Sequence, residues 1–241
     1  MFLSISIISI IGFIRTELKT ASPLLDIKFI ASWKIFPLLL VFLIMGFTMF
    51  MIYQTIPILV KAPVPIGFGG NSLTSSIVLW PFTIVFLIMS LLVSKIISKF
   101  GNLKPFIAAS FISLIGFECL FVFHSNEIQV GLNLTIIAMG LAILNTIAMN
   151  VILLNTPKQF VGVVVGVVQV FTFTGMALGP IISGVYMQNY QTTIMEDLAE
   201  ISLPSSEAYQ MIFLTATISS SILLAMAFIL SRNVSSEVIK T

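Results

Sequence analysis

The sequence predicts an all-α integral membrane protein, a bundle of six spanning helices preceded by a shorter apolar segment. Three observations predict it. Of the 241 residues, 58% are apolar and only 8% charged, whereas a soluble globular domain carries about a quarter charged. The mean hydropathy is +1.14. Six separate apolar stretches each reach the ~20 residues a helix needs to cross a bilayer core about 30 Å thick. A water-soluble enzyme, a nucleic-acid binder and a disordered chain are thereby excluded. The net charge of +2 is too small to draw a polyanionic partner, so membrane lipid is the expected surrounding and nucleic acid is not. One cysteine, Cys119, and one histidine, His124, exclude an internal disulfide, a cysteine metal cluster and a paired-histidine metal site. No cofactor is expected.

The elements follow in order. The opening run over 1–14 is apolar but, at about 21 Å of helix, too short to cross unaided. Its first charge, Arg15, comes after the apolar run and no small-residue cleavage site follows, unlike a secretory signal. It reads as the remainder of a truncated transmembrane helix. Residues 15–34 form a basic linker. Spans are expected at 35–58, 74–94, 105–124, 128–153, 161–187 and 210–231, each bounded by charge, Gly or Pro, with a tail over 232–241. The runs are continuous rather than alternating, which argues against lipid-facing barrel strands.

Charge orients the spans. Arg15, Lys19, Lys28, Lys34, Lys95, Lys99, Lys104, Lys158, Arg232 and Lys240 fall on one side, and only Lys61 on the other. Lys and Arg accumulate on the cytoplasmic side, so the expected location is the cell membrane with a cytoplasmic C-terminus. The longest outer connection, Gln188 to Tyr209, reads as a solvated loop, with a short surface helix around Thr192 to Ile201 as the alternative.

No catalytic constellation is visible: no His-Glu-x-x-His, no Gly-x-x-x-x-Gly-Lys, no Gly-x-Ser-x-Gly. The sixth span lacks a lysine for a Schiff base, and no room remains for a nucleotide-binding domain. The chain is therefore not expected to be an enzyme. Passive or ion-coupled passage, or a structural role, is left.

Three local patterns sharpen this. Between the second and third spans stands Ser94-Lys95-Ile96-Ile97-Ser98-Lys99-Phe100-Gly101-Asn102-Leu103-Lys104. It resembles the major facilitator signature loop, Gly-x-x-x-Asp-Arg/Lys-x-Gly-Arg/Lys. Lys99 and Gly101 match, while Ser94 and Ser98 replace the first Gly and the Asp. The fifth span carries Gly162-x-x-x-Gly166 and Gly175-x-x-x-Gly179-Pro180, then Gly184. Small residues at this spacing let helix backbones approach, and the proline favours a kink. This stretch resembles the Gly-x-x-x-Gly-Pro element of facilitator antiporters, and either packing or gating would use it. Near the start, Glu17-Leu18-Lys19-Thr20-Ala21-Ser22-Pro23-Leu24-Leu25-Asp26-Ile27-Lys28-Phe29 resembles the linker of the 14-helix drug:proton antiporters, the EmrB/QacA-like branch of the major facilitators. There the linker precedes the last six helices.

That resemblance covers essentially the whole chain. It implies a six-helix C-terminal half-bundle built of 3+3 inverted repeats, with earlier helices absent. It implies a partner, either an N-terminal half or a second copy, and a small, amphipathic substrate. The first and fourth helices of a half then line the cavity, which nominates Thr48, Tyr53 and Gln54 on the first span and Asn145 and Asn150 on the fourth. Gln169 and Thr172 on the fifth rank second. An interhelical hydrogen bond is the alternative for each amide. Glu118 is the only ionisable residue well inside a span, hence a possible proton site, although a structural role at the periphery is the preferred reading. Alternatives to multidrug efflux are a facilitator exporting a metabolite or sugar and a non-transporting scaffold or inactive fragment.

Overall fold

A computed structural model describes residues 35–233 apart from 197 and 198, together with residues 9, 12, 15, 16 and 30–32. Most of the expected truncated helix over 1–14, of the linker over 15–34 and of the tail over 232–241 lies outside the described residues.

Six long helices follow one another: α1 Phe36–Lys61, α2 Ser72–Phe100, α3 Leu103–Val122, α4 Glu127–Asn155, α5 Val161–Asn189 and α6 Ser206–Asn233. All six are long and apolar enough to cross a membrane. Local chemistry sets their ends. Pro37 opens α1, where a missing N–H costs nothing. Ala62 is extended (ψ 140°) because Pro63 disfavours a helical residue before it. A capping box starts α2: the Asn71 side chain accepts from Thr74 N at 3.0 Å, and Asn71 N donates to Thr74 Oγ1 at 3.5 Å. Gly101 ends α2 at φ 72°, a left-handed turn that suits glycine. Asn126 caps α4 by accepting from Gln129 N at 2.9 Å. Thr156, extended ahead of Pro157, stops α4, and a 3-10 turn, Lys158–Phe160, leads into α5.

Two expectations are corrected here. The residues read as a loop between the second and third spans are helical: Ser94, Lys95, Ser98 and Lys99 lie in α2, Lys104 lies in α3, and only Gly101 and Asn102 connect them. At 29 residues, α2 is about 44 Å long, so its last turns continue past the hydrocarbon, where lysines are at home. The long connection after α5 is neither a plain loop nor a surface helix. It is an antiparallel hairpin, β1 Gln191–Glu196 with β2 Ala199–Pro204, Gln191 opposite Pro204 and Ile194 opposite Ile201. The β-branched run Thr192-Thr193-Ile194 favours strand over helix. This hairpin marks one end of the bundle, and the Gly101–Asn102 turn, rich in lysine, marks the other.

Packing follows a repeat. The α1 helix lies chiefly on α5, and α4 lies on α2 and α3; α6 touches α3 and α1. Exchanging α1–α3 for α4–α6 maps the α1–α5 contact onto α4–α2 and α3–α4 onto α6–α1, and leaves α3–α6 in place. Two interlocked triplets of this kind are the 3+3 arrangement. The α1–α5 seam is backbone on backbone. A Cβ on Gly175 would strike Leu43 O, and one on Gly179 would strike Phe47 O. The α3–α4 seam is equally close: a Cβ on Gly140 would lie 2.5 Å from Ser113 N. At the α3–α6 crossing, the fully buried hydroxyls of Ser113 and Ser220 are 3.2 Å apart.

Candidate functional site

The nominated residues spread along the bundle axis. Thr48 on α1 is fully buried, and its hydroxyl donates to Ile44 O at 3.0 Å within its own helix. It belongs to the packed interior of this bundle. Tyr53 and Gln54 are half-buried, eight and seven residues, or about 12 and 10 Å, from the hairpin-side end of α1 at Lys61. Tyr53 heads a row of rings. It lies 6.0 Å from Phe50, and edge-on to Phe82 at 5.4 Å, while Phe82 stacks on Phe86 at 5.9 Å. The row ties the hairpin-side half of α1 to α2 and leaves Phe50 partly open.

On α4 the two amides part company. Asn150 lies near the lysine-rich end, and its Nδ2 donates to Oδ1 of Asn102 at 3.0 Å. Asn102 is 3% exposed, so the pair is shielded, and it fastens the α2–α3 turn to α4. Asn145, five residues earlier, points about 140° away and is half-exposed. On α5, the Thr172 hydroxyl donates to Val168 O at 2.8 Å, while its carbonyl abuts Gly46 of α1. Gln169 is exposed. The bundle does not gather the nominated residues at one point.

The signature residues sit together at the lysine-rich end. The Ser98 hydroxyl donates to Lys95 O at 2.9 Å and the Ser94 hydroxyl to Leu91 O at 3.4 Å, both within α2. The Lys99 ammonium stands 5.3 Å from the Phe100 ring centroid. Of the α5 glycines, Gly175 and Gly179 are in the seam described above, with Pro180 next to them in the same helix. Gly162, Gly166 and Gly184 face open space. Glu118 lies on the exposed side of α3, four residues from its end at Val122.

Sequence reasoning missed Asn102, and the missed signal was present. An amide beside a glycine in a two-residue connection of so apolar a chain needs a partner. It also missed a cavity of about 230 Å³ near the hairpin end, lined in part by His124, Ser206 and Tyr209. The His124 ring meets Phe213 edge-on at 5.1 Å, and its Nδ1 is 3.0 Å from Leu120 O. The buried Tyr209 hydroxyl has no hydrogen-bond partner among the described residues.

Six apolar helices in two triplets, a signature-like turn and a glycine-proline helix define what the chain should be compared with. The model of the Major Facilitator Superfamily matches residues 1–180 and, in a second placement, residues 39–240. The chain belongs to the Major Facilitator Superfamily. This facilitator is accordingly a multi-pass membrane protein and a secondary transporter, in a family whose members are generally not enzymes. A search of curated proteins finds no match to it. In the facilitator frame α1 and α4 are the central helices. They are also the two most enclosed in this bundle, with 56% and 61% of their apolar stretches buried.

Proposed function

We propose that this facilitator works as the C-terminal half of a multidrug-efflux transporter of the 14-helix drug:proton antiporter type, in the cell membrane with its lysine-rich end and C-terminus cytoplasmic. One observation carries the reading. Only 17% of the apolar stretch is buried in α2 and likewise in α5, although each has one face fixed to a central helix. The two helices related by the repeat are thus the two left open, as a bundle that rocks against a partner requires. The open glycines Gly162, Gly166 and Gly184 permit close approach of another helix to α5. That helix belongs to an N-terminal half or to a second copy of this chain.

The linker resemblance over Glu17–Phe29 supports the drug:proton branch. The ring row Phe50, Tyr53, Phe82 and Phe86, beside Gln54, suits an amphipathic substrate with an apolar body and a few polar groups. With Glu118 turned outward, the proton-coupling carboxylate lies in the partner half.

The test measures ethidium efflux from exporter-deficient cells expressing this chain alone and together with an N-terminal half of the same antiporter type. Efflux is expected from the pair only, and collapsing the proton gradient stops it. Efflux of metabolites but not of ethidium would reassign the substrate. Pairs that never export anything above the empty vector would overturn the proposal.

A further inference from the structure

We infer that the lysine-rich end carries a binding site for one anionic phospholipid, seated between α2 and α3 with α4 as its floor. This rests on membership of the superfamily and on the spans, and not on the export reading.

The seat is a groove of about 290 Å³. Ile96 and Phe100 of α2 form one wall, Pro105, Ala108 and Ile112 of α3 the other, and Ile143 of α4 closes the bottom. Small side chains make the depression: Ala108 is exposed and Ala109 behind it is fully buried. Along α3 the groove runs from Lys104 to Ile112, eight residues or about 12 Å of helix rise. One leaflet of hydrocarbon is about 15 Å deep. The groove is therefore shorter than one leaflet, and its mouth, at Phe100 and Lys104, stands at the headgroup level where the last turns of α2 leave the hydrocarbon.

The lining holds a single charge, Lys104 at the mouth, and two further lysines stand on the neighbouring face of α2. Lys104 is part of the lining and is exposed. The Lys99 ammonium stands over the ring of Phe100, which forms the wall, and Lys95 lies one turn before Lys99 on the same face. No Asp or Glu occurs between residues 26 and 118. Among the described residues no ion pair forms at these three lysines. The position where the signature pattern places an acid is Ser98, whose hydroxyl is spent on Lys95 O. Three exposed cations near an apolar slot, with no acidic partner among the described residues, are complementary to a phosphate headgroup above an acyl chain. Basic pockets between helices take such lipids, and each lysine near the headgroup layer contributes about 1 kcal/mol, or about fivefold in affinity.

The experiment is native mass spectrometry of the full chain purified in detergent, titrated with phosphatidylglycerol or phosphatidylcholine of identical acyl chains. Phosphatidylglycerol is expected to be retained preferentially, as a single adduct. Lys104→Gln should lower that preference about fivefold and leave the phosphatidylcholine adduct unchanged. Ala108→Leu, which fills the slot from an exposed position, should lower both adducts. Lys158→Gln, on the same side but outside the groove, should change nothing. Equal retention of the two lipids would overturn the inference. So would an equal loss of preference in Lys158→Gln and Lys104→Gln, which would mean diffuse attraction. A dimer mass that Ala108→Leu abolishes while lipid adducts persist would give the groove to a second copy and overturn it as well.

Discussion

Helices α2 and α4 lie side by side and are about equally apolar, with mean hydropathy 2.4 and 2.2 in their best stretches, yet 17% of the one and 61% of the other is buried. In water such similar helices would be buried alike, because apolar surface is driven inward. In lipid that drive is absent, and close packing decides which helix becomes central. The enclosed helices approach their neighbours through glycine, Gly140 on α4 against α3 and Gly46 on α1 against α5. The α5 helix shows both behaviours at once. Its Gly175 and Gly179 press on α1, while Gly162, Gly166 and Gly184 face outward.

The sharpest way to break this comparison is to put the same side chain on both sides of α5. Gly175→Leu or Gly179→Leu drives a side chain into the α1 backbone and should cost upwards of about 3 kcal/mol, read as loss of the monodisperse peak in size-exclusion chromatography. Gly162→Leu and Gly184→Leu should leave that peak intact. If Gly175→Leu were tolerated as well as Gly184→Leu, the seam would be misplaced. Next in size is a labelling contrast. In a Cys119→Ser background, Leu87→Cys on α2 should react with a lipid-soluble maleimide, because Leu87 is 61% exposed, and Leu141→Cys on α4, fully buried, should react only after unfolding. Equal labelling would erase the distinction between open and enclosed helices.

Smaller effects sharpen it. Asn150→Ala leaves Asn102 buried without its partner and should cost about 1–3 kcal/mol. Asn102→Ala combined with Asn150→Ala should cost less than the sum, with a coupling of about 0.6–1.7 kcal/mol in a melting-temperature cycle. Additive losses would show that the amide pair does not hold the turn to α4. The smallest expected effect is Ser113→Ala with Ser220→Ala, about 0.6 kcal/mol for the hydroxyl contact. A larger loss would make the α3–α6 crossing a polar anchor rather than a packing point.

How much of this was legible depended on what each residue's neighbours are. Six spans could be read because about 20 apolar residues have few other destinations. Their ends could not be read as well. The helix from Ser94 to Phe100 continues where side chains turn polar, and backbone hydrogen bonds do not stop at the hydrocarbon boundary. The hairpin is masked in the sequence because its charges point to solvent, while its strand signal is only the short β-branched run Thr192-Thr193-Ile194. Burial escaped for the reason the α2–α4 contrast gives: lipid-facing and protein-facing positions use the same side chains. At the candidate site, Asn150 was legible as a polar residue needing a role. Its partner, Asn102, is 48 residues away, and that pairing is a property of the packed triplets alone.

The hairpin continues directly from α5 into α6. Its first pair, Gln191 with Pro204, is reinforced by Ser205 N donating to Tyr190 O at 2.9 Å, and lower down Thr215 Oγ1 donates to Tyr186 OH at 3.1 Å. These bonds leash the tips of two helices from the same triplet. The two tips are held as one unit, so a vestibule that widens on this side does not open between α5 and α6.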